Sequence, residues 1–255
     1  MREAGRLVSE VLTELSAAVA PGVSTADLDV LADKRIRQAG AIPAFKGYHG
    51  YPATICASIN SEVIHGIPSG RRVLENGDII SIDVGASLDG YFGDSAITLP
   101  VGRVSEEAAT LLRVTEEALH KAIERVRAGN RVSDIGNAVQ HHVEAHGFSV
   151  VREFVGHGIG QKMHEEPQVP NYGEPGRGPR LSEGMVLAIE PMVNAGKPAV
   201  KVLADGWTAV TRDGSLSAHF EHTVAVTATG PWILTARETP AVVAKRDPSA
   251  VARSS

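Results

Sequence analysis

Two carboxylates stand where an apolar strand tolerates them least: Asp83 between Ile82 and Val84 in IISIDVG, and Glu190 after Ile189 in MVLAIEP. They are 107 residues apart, and the same shift pairs Gly22 with Gly129, Leu28 with Ile135, Ile36 with Val143, Gly40 with Gly147, Leu74 with Leu181, Gly77 with Gly184, Ile79 with Val186 and Ile82 with Ile189. One offset that aligns helix ends, strand positions and an acid on an acid points to two related halves. A sheet shared by the halves would bring Asp83 and Glu190 to a pseudo-two-fold axis. We therefore expect one pseudo-symmetric domain over residues 1–238, with the Ala/Pro/Ser-rich residues 239–255 forming a flexible tail.

Local patterns predict an α+β chain. Helices are expected over residues 2–20 and from Ser24 or Thr25 to Gly40. Two more are expected over 105–128 and 133–146, each opening on a serine and the second closing at Gly147. In residues 79–84, period two separates Ser81 and Asp83 from Ile80, Ile82 and Val84, and a turn through Gly85–Gly90 should return a strand carrying Asp94. Further strands are predicted near 150–155, 185–190, 199–203, 207–212 and 218–228, and shaped loops with short strands over 41–70.

Composition removes several function classes. Lys plus Arg number 25 against 30 Asp plus Glu, and aromatic residues make up 4%, so neither a basic excess nor stacking residues suit a nucleic acid. The single Cys56 cannot form an internal disulfide, which fits a reducing compartment. No apolar run approaches the ~18 residues of a membrane span, and the charged start MREAGRLVSE is not a secretory leader. The expectation is a cytoplasmic protein.

Buried carboxylates need protons, cations or metal, and no Lys or Arg occurs between positions 73 and 102. Asp83, Asp94, Glu190 and Glu221, with His157 in VGHGIG, make four hard oxygen donors and one imidazole. Such a set suits divalent first-row ions. Five protein donors are many for one catalytic ion but suit two sharing carboxylates about 3.5–4 Å apart. The bland readings are a turn or edge acid for Asp83 and Asp94, a surface cluster with His219 and His222 for Glu221, and a hydrogen-bonded loop residue for His157. His65 in VIHGIP and His164 in KMHEEP are either structural or placed to donate to a developing oxyanion and a peptide nitrogen. Other features weaken on inspection: GHGIG lacks a full GxGxxG, no GxSxG is present, Cys56 has no evident base, and His142 with His146 reads as a solvated helix face.

The blocks GYHGYPATICASIN, VIHGIP, IDVGASLDGYFGD, GHGIGQKMHEEP, GMVLAIEP and DGWTAVTRDGSLSAHFEHT closely resemble methionine aminopeptidase type 1, over nearly all of residues 1–237. The resemblance implies the pseudo-two-fold "pita-bread" (creatinase/aminopeptidase) fold, a curved, mainly antiparallel sheet backed by helices. It implies two divalent ions (Co, Mn, Fe, Ni or Zn), with Asp83 chelating one, His157 and Glu190 the other, and Asp94 and Glu221 bridging both. It also implies a proton-shuttling Glu190, a carbonyl-stabilising His164, a His65 near the scissile nitrogen, and a methionine pocket of Phe45, Tyr48, Tyr51, Cys56, His65, Met163, Trp207 and His219. Substrates would be N-termini of nascent proteins and peptides with a small second residue. A monomer with transient ribosome association and no membrane or nucleic-acid partner is implied as well. Phe45, Ile64, Met163 and His219 depart from the common bacterial pattern, where cysteine, cysteine, phenylalanine and glutamine are familiar. The alternatives are an Xaa-Pro aminopeptidase or dipeptidase of the same fold and a non-catalytic peptide-binding module.

Overall fold

The computed structural model describes residues 1–237, so the expected tail at 239–255 lies outside the described residues. Helix α1 (Arg2–Ala18) buries Ala4, Leu7, Val8, Val11, Leu12 and Leu15, a stripe at three- and four-residue spacing. Helix α2 (Thr25–Gln38) follows, capped by Ser24. Short strands β1 (Ile42–Pro43), β2 (Ile55–Ile59) and β3 (Glu62–Ile64), with a 3-10 turn at Tyr48–Gly50, lead to the hairpin β4 (Ile79–Leu88) and β5 (Tyr91–Pro100). The hairpin turn is tighter than expected, at Asp89 and Gly90, and Gly85 stays in the strand. Gly85 is accommodated because Phe45 packs where its Cβ would stand, 2.6 Å from the ring.

The second half opens with α3 (Glu106–Ile123) and α4 (Val132–Ala145). The expected serine cap holds for α3 at Ser105, but α4 starts one residue earlier than predicted, at a cap on Arg131; Ser133 lies inside the helix and binds the Arg177 carbonyl. Strands β6 (Ser149–Val150), β7 (Gly156–Gly158), β8 (Glu165–Val169), β9 (Val186–Ile189), β10 (Met192–Asn194), β11 (Val200–Val202), β12 (Ala209–Thr211), β13 (Ser217–His219), β14 (His222–Thr227) and β15 (Gly230–Ile233) complete the chain. The strand expected near 150–155 is only its first residue, in β6, followed by a loop, and β7, β8, β10 and β15 were not anticipated, being short and lacking period-two patterning. All strand pairings are antiparallel, in sheets ordered β1-β4-β2 with β5 on β4, β15-β14-β9-β7-β8, β13-β10-β6 and β11-β12-β3.

The 107-residue offset recurs in the backbone. Helices α2 and α4 begin and end in register with it. The Gly22 N–H donates to Leu74 and the Leu74 N–H to Val23; the Gly129 N–H donates to Leu181 and the Leu181 N–H to Asn130. Gly22 and Gly129 share the same left-handed turn, φ +92° and +96°. Symmetry breaks at the second acid, where Pro191 follows Glu190 and splits into β9 and β10 what is one strand in β4, because proline cannot donate to a ladder.

The halves join along β5, β13 and β14 through hydroxyls. Thr223 Oγ1 donates to the Asp94 carbonyl at 2.7 Å and accepts the Asp94 N–H at 3.0 Å. Ser95 Oγ donates to the Glu221 carbonyl at 2.6 Å, and Thr98 Oγ1 to that of His219 at 2.8 Å. One contiguous core spans both halves, including Leu12, Ile36 and Ile82 from the first and Leu119, Ile135 and Leu187 from the second. The segment after β15 returns to α1: Leu234 seats against Gly5, and Ser9 Oγ donates to the Ala236 carbonyl.

Asp27 and Asp134, related by the offset, accept the backbone N–H of Ser24 and Arg131 at the starts of α2 and α4. Asp27→Ala and Asp134→Ala should each lower the urea midpoint with an unchanged m-value, and the double variant should lower it by about the sum.

Candidate active site

The β4–β5 register places Asp83 opposite Ala96 and Asp94 opposite Gly85. Asp94 is thus two residues along from the partner of Asp83, and both side chains leave the same face of the sheet. His157 sits on β7 between β8 and β9. Its flanking glycines are required by close approach, since a Cβ on Gly156 would strike the Ala188 carbonyl and one on Gly158 the Glu166 carbonyl. Glu190 sits in the break between β9 and β10, its own carbonyl held by Asn171 Nδ2 at 2.9 Å. Glu221 occupies the corner between β13 and β14, its N–H donated to the Ala96 carbonyl. Five distant segments therefore converge.

Asp94, His157 and Glu221 each place a donor atom within 4.8 Å of the others. His157 Nε2 is 3.7 Å from Glu190 Oε1 and 4.0 Å from Asp94 Oδ2. His157 Nδ1 donates to the Gly158 carbonyl at 2.8 Å, which leaves Nε2 with the lone pair facing the carboxylates. Burial also holds this imidazole neutral, lowering its pKa to about 4.

The acids are strained in the opposite direction. Burial raises Asp83 to about 7. It raises Asp94, Glu190 and Glu221 well above the carboxylate range, with neighbouring acids adding to the shift. Asp83 Oδ1, Asp94 Oδ1 and Glu221 Oε1 are buried without any hydrogen-bond partner, and no salt bridge joins these acids to Lys or Arg among the described residues. Orphaned anionic oxygens around a neutral imidazole nitrogen fit a divalent cation, the donor chemistry expected from sequence.

A cavity of 150 Å³ opens beside the acids, a volume that in an apolar core admits a benzene-sized molecule. Phe45, Tyr48, Tyr51, Cys56, Met163 and Trp207 form its walls, and His65 and His164 face it with the acids. His219 departs from expectation. It is 2% exposed and absent from the cavity wall, with Nε2 3.7 Å from Glu190 Oε2. His49 was missed and does line the cavity; the signal was its place in GYHGYP, with a positive φ of 48°. Tyr48 Oη lies 2.8 Å from His164 Nδ1. Burial lowers the pKa of both His164 and His65, the latter to about 4.

Residues 1–228 match metallopeptidase family M24. The chain is 59% identical to a methionine aminopeptidase of Clostridium acetobutylicum, over 92% of this chain and 94% of the relative, and 58% identical to methionine aminopeptidase 1 of Bacillus subtilis over the same shares. A crystal structure of methionine aminopeptidase from Thermotoga maritima superposes with a TM-score of 0.92 at 47% identity, covering 93% of this chain and 95% of the other.

The raised acids set a pH dependence for metal-free protein. Between the ordinary carboxylate pKa of 3.8 and about 7, folded Asp83 holds a proton that the unfolded chain has lost, so stability falls as pH rises through that window. The buried histidines, held neutral, act in the opposite sense below about pH 6.5, so the test is a difference: in chelator, the Tm of wild type should fall relative to that of Asp83→Asn between pH 5 and 7.5, and saturating divalent ion should restore wild type. A flat difference between the two proteins would contradict the electrostatic account.

Proposed function

From the premise that the chain belongs to metallopeptidase family M24, in its methionine aminopeptidase branch, we propose that two divalent ions occupy the carboxylate cluster and that the adjoining cavity receives the methionine side chain. The reaction is hydrolysis of the first peptide bond, releasing the N-terminal methionine. Divalent metal supports it. Asp83 would hold one ion, His157 and Glu190 the other, and Asp94 and Glu221 would serve both. Four carboxylates then balance two dications. Co, Mn, Fe, Ni and Zn all suit this donor set. The observation that carries the reading is the convergence of five donors at one end of a cavity the size of a single apolar side chain.

When bound, the ions supply Lewis acidity toward the first carbonyl and activate the attacking water. The chain's own groups do the rest. Phe45, Tyr51, Cys56, Met163 and Trp207 exclude water around an unbranched thioether. With Tyr48 Oη, 2.8 Å from His164 Nδ1, acting as the donor, the His164 proton would sit on Nε2, free to donate to the oxygen on which charge develops. Lowered pKa values keep His164 and His65 neutral, and His65 meets the scissile nitrogen. Glu190 accepts a proton from the attacking water and delivers it to the leaving amine.

Nascent chains with a small second residue are the proposed physiological substrates, met by a monomer in the cytoplasm during transient contact with the ribosome. No helix among the described residues is long and apolar enough to cross a membrane.

Anaerobic titration of the stripped protein with Mn(II), Fe(II) or Co(II) should yield methionine from Met-Ala-Ser and nothing from Ala-Pro; release from Ala-Pro alone would favour the proline-specific alternative. Asp94→Ala should lose bound metal and turnover together, and unchanged stoichiometry would remove it from the bridge. His164→Ala should lower kcat by about 10²–10³ with metal content preserved. Tyr48→Phe should lower kcat while leaving KM nearly unchanged, because the ring still lines the cavity and only the hydroxyl is lost.

A further inference from the structure

Away from the cavity, the helical layer brings together three side chains that the hydrolytic reaction does not use. His142 lies in the last turn of α4 and His146 caps its end one turn further on, and Glu117 faces them from α3. One ring nitrogen of each histidine and a carboxylate oxygen of Glu117 all lie within 4.8 Å of one another. The solvated face expected from sequence is not what His142 shows: its side chain is 12% exposed and its Nε2 is 3.0 Å from Glu117 Oε2.

We propose that Glu117, His142 and His146 form a separate binding site for a Zn(II)-class transition-metal ion that ties α3 to α4. The geometry supplies what such a site needs. His146 Nδ1 donates to the His142 carbonyl at 2.8 Å, which puts the proton on Nδ1 and leaves the Nε2 lone pair for an ion. The His142–Glu117 contact has a carboxylate oxygen facing a ring nitrogen across one shared proton, and a dication takes that proton's place. Two imidazoles and one carboxylate leave a fourth tetrahedral position for water. His146 is exposed, which leaves that position open to solvent, and of the three ligands His142 alone also lines a groove of 710 Å³ between the helices.

The nitrogen-rich donor set favours Zn(II) or Cu(II) over Mn(II), in contrast to the oxygen-rich catalytic cluster. Opposing charges keep the site weaker than that cluster: Arg113 Nη1 already donates to Glu117 Oε1 at 2.9 Å, and Lys121 lies one turn along α3. Neither residue engages Oε2, the oxygen facing the histidines.

The test compares wild-type enzyme with His142→Ala/His146→Ala and, as a milder change at an exposed position, His146→Ala alone. Each is dialysed against buffered free Zn(II) and its zinc content measured by mass spectrometry. Wild type should hold one zinc per chain more than either variant at intermediate free zinc, and its Tm should keep rising after the catalytic ions are saturated. Both variants should release methionine at the wild-type rate when supplied with catalytic metal, which reports an intact fold. Glu117→Gln should weaken the extra site by more than the about 10- to 100-fold typical of losing a partner that only supports a ligand. Equal zinc content in wild type and His146→Ala, or an excess zinc that survives in the double variant, would overturn the proposal.

Discussion

Four carboxylates held out of water within reach of one another, with no basic side chain to neutralise them, form the constraint that the rest of the molecule serves. Left ionised they repel, and left protonated they hold no metal. The fold must keep them together against that cost. It does so by mounting two on a long antiparallel hairpin and the others on segments locked to it, so that no single acid can swing away. The same desolvation that raises the acids depresses the surrounding histidines. Neutral imidazoles therefore face acidic oxygens, an arrangement that only a cation completes.

The duplicated architecture explains how so much chemistry is assembled from so few kinds of part. Each half brings a helix pair, a left-handed glycine turn and an apolar strand whose run leads to an acid, and the two acids meet where the halves meet. Between β5 and β13–β14, Thr223, Ser95 and Thr98 replace ladder hydrogen bonds with hydroxyl bridges. A hydroxyl can satisfy a donor and an acceptor at once, so the strands diverge around the acids without stranding backbone groups. The departures from symmetry are functional as well: Pro191 turns a continuous strand into a corner that presents Glu190, and the glycines beside His157 let three strands close around it.

What the sequence revealed and what it concealed divide along physical lines. Asp83 and Glu190 were legible because an acid amid Ile and Val conflicts with local patterning, and conflict of that kind marks a site. The offset of 107 was legible because capping and glycine turns are local, and α2 and α4 obey it, although their expected bounds were off by one or two residues. Strands β7, β8, β10 and β15 escaped notice because their pairing, not their residue pattern, makes them strands. The cap of α4 was misplaced because Asp134, three residues on, outcompetes Ser133 for the terminal N–H groups. His219 was assigned to the cavity by the position of its motif, whereas the structure turns it behind Glu190. His49 went unnoticed because its neighbours in GYHGYP carried the more familiar signal. The contact between His142 and Glu117 depends on how α3 packs against α4, which no helical wheel displays.

The return of residues 234–236 onto the first helix bears on when this protein can begin to work. Glu221 enters the cluster at the start of β14, and the segment beyond that strand ties down helix α1 through Ser9 and Gly5. A chain emerging from the ribosome only as far as Phe220 carries Asp83, Asp94, His157 and Glu190 but neither Glu221 nor the clamp on its own beginning. Catalytic competence is therefore a late event in vectorial synthesis, gained only once Glu221 and the clamp at residues 234–236 have emerged.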